Sequence, residues 1–101
     1  AADLGMALAI ASSFKDVAID PNTVIIGEVG LNGEIRQVSQ IERRITEAER
    51  HGFTHAIVPK LNGHKSLGSD RLKIFPVDTL MEAVTHTFSF NLKNPKSFKV
   101  S

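Results

Sequence analysis

Ser12-Ser13-Phe14-Lys15 places a serine three residues before a lysine. That spacing sets a nucleophile and its base one helical turn apart in some serine hydrolases. The companion motifs Ser-Asp-Asn and Lys-Thr-Gly do not occur in the chain. Two small residues closing a helix, followed by a solvated lysine, are therefore the plainer reading. His51 and His55 are four apart, but Gly52 falls between them and breaks any helix that would align them as metal ligands. His64 and His86 add no second pair. The sequence gives no metal site, and none is expected in this chain. Gly63-His64-Lys65-Ser66 carries only the second half of a phosphate loop. The glycines from Gly27 to Gly33 lie between predicted strands, so the helix-dipole logic of phosphate binding is absent, and no nucleotide site is expected.

The basic residues form two groups. Arg36, Arg43, Arg44 and Arg50 lie on or near one predicted helix, interleaved with Glu42, Glu47 and Glu49. Mixed signs of this kind usually make a solvated face with pairs such as Arg43–Glu47. Lys93, Lys96 and Lys99 have no acidic neighbour and could touch phosphates. Arg36, Arg43, Arg44, Lys93, Lys96 and Lys99 are thus the candidate DNA contacts. A net charge of +1 supplies no global basic field, so any nucleic-acid binding must be local.

These groups need elements to hold them. At 101 residues and 42% hydrophobic content, one small domain is expected. The chain has no cysteine, which removes disulfides and thiolate chemistry and suits a reducing compartment. No apolar run reaches the ~18 residues of a membrane span. The chain opens inside an apolar run without an initiator methionine, and it reads as a piece of a longer protein.

Leu4 to Phe14 predicts a helix, apolar on all sides and therefore buried, with Asp3 complementing its dipole. Val24-Ile25-Ile26 predicts a buried strand. Gly30 and Asn32-Gly33 supply positive φ for a tight connection into a strand from Glu34 to Val38. Ser39-Gln40-Ile41-Glu42 reads as a capping box opening a helix with Ile41, Ile45 and Ala48 on its apolar stripe and Gly52 as its αL cap. Ala56-Ile57-Val58 is a strand stopped by Pro59, and Leu61 to Arg71 a surface loop. Leu72 to Val77 is a strand whose Pro76 argues for an edge. Asp78 caps a last helix, and residues 89–101 make a flexible basic tail. The order predicts an α/β (α+β) fold, a mixed sheet with packed helices.

The segment Gly27-Glu28-Val29-Gly30-Leu31-Asn32-Gly33-Glu34-Ile35, leading through Ser39 into a helix near Ile41, resembles the Lon-type serine–lysine peptidases. In that family a similar hairpin delivers a lysine on the next helix's first turn. The resemblance puts Glu42 at the lysine position and Ala1-Ala2-Asp3 at the Ser-Ala-Gly nucleophile motif. A carboxylate cannot be the neutral amine that deprotonates a serine, and alanine has no nucleophile.

Ala1-Ala2-Asp3-Leu4, Gly33-Glu34-Ile35-Arg36, Val38-Ser39, Glu47-Ala48, Gly52-Phe53 and Ala56-Ile57-Val58-Pro59 extend the likeness. As a set they resemble the C-terminal Lon-protease-like domain of the RadA (Sms) family of bacterial DNA repair proteins, over residues 1–88. The resemblance implies a non-catalytic assembly and DNA-contact domain, lacking its upstream strands, of a cytoplasmic ATPase that forms hexameric rings on DNA. ATP, Mg and Zn are implied only for that parent. A Lon-type ATP-dependent serine peptidase is the alternative, and Ala1 and Glu42 discriminate the two.

Overall fold

The computed structural model describes residues 2–60 and 71–93, with side chains as far as residue 89. Along the chain run β1 (Ala2–Asp3), α1 (Leu4–Lys15), β2 (Thr23–Ile25), β3 (Glu28–Val29) and β4 (Ile35–Arg36). They are followed by α2 (Ile41–Arg50), β5 (His55–Pro59), β6 (Lys73–Val77) and α3 (Leu80–Lys93). The α/β class read from the sequence stands. The parallel and antiparallel pairings expected of one mixed sheet are segregated into two sheets. β2, β5 and β6 form a parallel sheet in that order, and β1, β3 and β4 an antiparallel one.

Alternation along β5 decides the layering, because successive side chains point to opposite faces. Ala56 and Val58 face one way and pack with Ile26, Leu72 and the Ile41, Ile45 and Ala48 stripe of α2. Ile57 faces the other way, with Leu4 and Leu8 of α1, Val77, and Ala83 of α3. The parallel sheet is therefore a filling between α2 on one side and α1 with α3 on the other. Full burial of a side chain such as Ile57 contributes about 1.5–3 kcal/mol. Two polar side chains enter this core, and the Thr23 and Thr87 hydroxyls have no hydrogen-bond partner among the described residues. Thr87→Val keeps the shape and removes the desolvated hydroxyl. It is expected to raise stability by about 1 kcal/mol in a urea melt.

Several local expectations change. α1 is not buried all round: Leu4 and Leu8 are fully covered by this chain's own core, whereas Met6, Ile10 and Phe14 are 64%, 54% and 87% exposed. Asp3 does more than complement the dipole. It is the N-cap, its carboxylate accepting from the Met6 amide at 2.9 Å. The strand expected from Glu34 to Val38 shortens to two residues, which pair with β3. Gly27 and Gly33, and not Gly30, take positive φ. At Gly30 an added Cβ would meet the folded-back Glu34 carboxylate, which would have to swing aside.

The capping box predicted at Ser39 and Glu42 does not form. Gln40, not Ser39, occupies the N-cap of α2, in the left-handed region with φ 57°, and its own side chain makes no cap bond. The box appears instead at α3, where Thr79 Oγ1 accepts from the Glu82 amide at 3.1 Å and Glu82 Oε1 accepts from the Thr79 amide at 3.2 Å. Asp78, predicted as that cap, reaches back to Lys60 at 3.0 Å. Glu42 still stands in the first turn of α2, where its charge favours the helix N-terminus. Glu42→Lys is therefore expected to cost at least the dipole contribution, about 0.3–1 kcal/mol. A denaturant melt with the variant equal to or above the parent would remove that role.

At its other end α2 closes as read. Gly52 has φ +86°, its amide donates to the Glu49 carbonyl, and the Phe53 amide donates to the Ala48 carbonyl. β6 lies at a sheet edge as Pro76 implied. α3 continues to Lys93, into the stretch expected to be tail from residue 89. The loop predicted from Leu61 lies, up to residue 70, outside the described residues, as do residues 94–101 of the tail.

Candidate functional site

The buried stripe of α2 turns its other positions outward over the open edge of the parallel sheet. A groove of about 470 Å³ runs between β2 and α2. Val24, Ile26 and Phe53 line its apolar side, and Arg43, Arg44, Glu47 and His51 its polar side. Phe53 is brought there by the Gly52 turn that ends α2. The Arg43 guanidinium donates to Gln40 Oε1 at 3.5 Å, and Arg44 Nε donates to the Ser39 carbonyl at 3.1 Å. Both acceptors are uncharged, so these bonds leave the arginine charges in place. Glu47 instead stands 3.9 Å from Arg50 and 3.7 Å from His51. The Arg43–Glu47 pair foreseen from their spacing is replaced by this one.

Arg36 belongs to a different element. It lies on β4 in the antiparallel sheet and bonds Glu34 Oε2 at 3.3 Å. The Glu34 carboxyl is held below its ordinary range, first by its own backbone amide, then by that of Asn32, with Arg36 adding to the effect. The six candidate DNA contacts are thus not one cluster. Arg43 and Arg44 share the groove, Arg36 sits on the hairpin sheet, and Lys93 ends α3. Lys96 and Lys99 lie outside the described residues.

The positions that carry the Lon-type resemblance are placed only in part. Glu42 is exposed on the first turn of α2, and Ala1 lies outside the described residues. Ser12 is taken up locally, its hydroxyl donating to the Val17 carbonyl beyond the helix end. Lys15 is the last residue of α1 and lines a second groove of about 410 Å³ with Leu80, Met81 and Val84. His51 ends α2, whereas His55 opens β5, bonds Thr54 Oγ1 at 2.9 Å and stacks on Phe75 with centroids 5.8 Å apart. His86 meets the same Phe75 at 5.4 Å. Among the described residues no three His, Cys, Asp or Glu side chains gather as a metal site. The sequence reading missed both grooves. The signal for the first was present in Phe53, an aromatic residue directly after a helix-ending glycine.

Comparison with known proteins now bears on this geometry. Residues 1–62, from the region of β1 through β5, match the model of a family described as the ChlI subunit of Mg-chelatase. The chain belongs to that family. Among its curated relatives are DNA repair proteins named RadA. It is 46% identical to RadA of Synechocystis over 84 residues, covering 83% of the chain and 16% of the relative. Against RadA of Escherichia coli it is 44% identical over 84 residues, 83% of the chain and 18% of the relative. Against RadA of Streptococcus pneumoniae the identity is 42% over 89 residues, 88% of the chain and 21% of the relative. The RadA resemblance seen in the sequence holds over most of the chain. The chain spans about a fifth or less of the length of these relatives. No described helix is long and apolar enough to cross a membrane.

Proposed function

We propose that this chain is a non-catalytic, Lon-like assembly and DNA-contact domain of a RadA-type ATPase acting in DNA repair and recombination in the cytoplasm. The observation that carries the reading is the 46% identity to a DNA repair protein RadA across 83% of the chain. ATP hydrolysis, with its Mg, and zinc binding belong in this reading to the parent protein. The Lon-type peptidase alternative is disfavoured by the residues themselves, alanine at the nucleophile position and glutamate at the position of the base. Copies of the domain meet in a ring, the parent being a hexamer, and exposed cations line the path of the DNA.

Arg36 and Arg44 test the DNA part from two elements at once. Charge reversal at both, Arg36→Glu with Arg44→Glu, removes two cations and adds two anions. Because each phosphate contact releases counterions, the loss should be visible as a shallower salt dependence as well as a weaker Kd. Fluorescence anisotropy with single- and double-stranded DNA, at about 50–200 mM salt, is expected to show at least a ~10-fold loss. Equal binding by parent and variant across that series would remove DNA contact from the proposal.

A further inference from the structure

Asn32-Gly33 is one of two Asn-Gly pairs in the sequence, the other being Asn62-Gly63 outside the described residues. It stands in the turn that joins β3 to β4, where the Gly33 amide donates to the Gly30 carbonyl at 3.1 Å. Asn32 is exposed, and its main-chain amide donates to Glu34 Oε1 at 3.0 Å. Its carboxamide makes no hydrogen bond among the described residues. Gly33 brings no side chain, and nothing lies within 4 Å of the place a Cβ would take. Asparagine is thermolabile, and most so with a free carboxamide beside a sterically open main-chain nitrogen.

We propose that Asn32 is a site of spontaneous self-modification, its carboxamide nitrogen displaced by the main-chain nitrogen of Gly33. The Gly33 nitrogen gives up its proton and bonds to Asn32 Cγ. The Cγ–Nδ2 bond breaks, and ammonia leaves with that proton. Water then opens the cyclic imide that remains. Opening at Cγ gives aspartate, whereas opening at the main-chain carbonyl gives isoaspartate, in which the main chain runs through Cγ. The bond to be given up is the one from Gly33 to Gly30. β3 and β4 are two residues each, so the turn between them opens at little cost.

Asn22 and Asn91 lack these features. Thr23 after Asn22 is β-branched and buried, and its amide donates to the Asp20 carbonyl at 3.0 Å. Asn91 lies inside α3, whose ladder occupies the amide that follows. The two products of Asn32 differ in consequence. Aspartate adds a negative charge to the hairpin that presents Arg36 and leaves the main chain as it was. Isoaspartate also lengthens the main chain by a methylene just before Gly33. The Gly33 carbonyl accepts from the Leu80 amide at 2.8 Å, which ties the turn to the start of α3. The added methylene moves Gly33 off both that bond and the one to Gly30.

Peptide mass spectrometry tests this on the chain held at physiological temperature in mildly alkaline buffer, with isoaspartyl methyltransferase labelling to tell the products apart. Asn32 is expected to be largely converted, isoaspartate among the products, before Asn22 or Asn91 changes detectably. Asn32→Gln should stay unmodified at that position, because a larger ring would have to form. An Asn32 still intact after Asn62 has converted would show that the Gly30 bond shields it, and would overturn the proposal. So would an Asn32 that converts no faster than Asn22. The isoaspartate form, separated chromatographically, is expected to melt below both the parent and Asn32→Asp. Equal melting of the isoaspartate form and Asn32→Asp would overturn the loss of the Leu80 tie.

Discussion

Incubated with a serine-directed fluorophosphonate probe, the chain is expected to remain unlabelled, with or without ATP. Ala1 has no hydroxyl to acylate, and the Glu42 carboxylate has no amine lone pair to accept a serine proton. Loss of a nucleophile or its base in a serine hydrolase typically costs on the order of 10⁶ in kcat. The Ser12–Lys15 pair is not expected to rescue the chemistry. The Ser12 hydroxyl is engaged with the Val17 carbonyl, and Lys15 lies in the groove beside α3. Glu42→Lys alone should likewise give no turnover, since it restores a base without a nucleophile. Stoichiometric adduct at Ser12 or Ser13, located by peptide mass spectrometry, would reinstate the peptidase reading.

Gly27→Ala is expected to lower stability by about 2–6 kcal/mol, a sum of two effects. Gly27 is where the chain leaves the parallel sheet and enters the antiparallel one, with φ +146°. An L residue held there is strained by about 1–3 kcal/mol. An added Cβ would also stand 3.2 Å from the Ile35 side chain and 3.3 Å from that of Leu4, tight contacts in a filled core. Overpacking of this kind adds about 1–3 kcal/mol. The Gly27 carbonyl accepts from the Leu4 amide at 3.0 Å, so relief by backbone movement would disturb the start of α1. Gly33→Ala is the control: φ is +80° but nothing lies within 4 Å of the new Cβ. It should cost only the left-handed strain, about 1–2 kcal/mol. Guanidinium melts of both variants check the difference, and equal midpoints would mean that Gly27 is not crowded.

Where one residue's chemistry decides local structure, the sequence was a sufficient guide. Ile41, Ile45 and Ala48 formed the buried stripe of α2, Gly52 ended it, and Pro76 marked an edge strand. The division into two sheets was not legible. β1, β3 and β4 are two residues long, too short for any period to show, and β2 finds its partner only at β5. Ser39-Gln40-Ile41-Glu42 and Thr79-Leu80-Met81-Glu82 carry the same capping signature. Only the second forms, because Gln40 takes the left-handed conformation and becomes the cap residue itself. α1 misled for a related reason: a helix apolar on every side does not reveal which flank the core will take. The candidate arginines were legible as charges and as strand or helix residues, but which sheet carries Arg36 depended on strand pairing.

The parallel arrangement of β2, β5 and β6 also bears on how fast the chain reaches its native state. The first two strands meet across a long separation, the Thr54 amide donating to the Asn22 carbonyl 32 residues earlier. No two-residue turn can bring parallel strands together; the intervening hairpin and α2 must be accommodated first. Loop closure is therefore opposed by chain entropy until most of the α2 side of the core is in place. Chains dominated by such distant pairings fold in milliseconds to seconds rather than microseconds. During that interval Val24–Ile26 and Ala56–Val58, both β-rich and uncharged, stand unpaired, so a crowded cell or ribosome would meet this domain's stickiest segments before its cations.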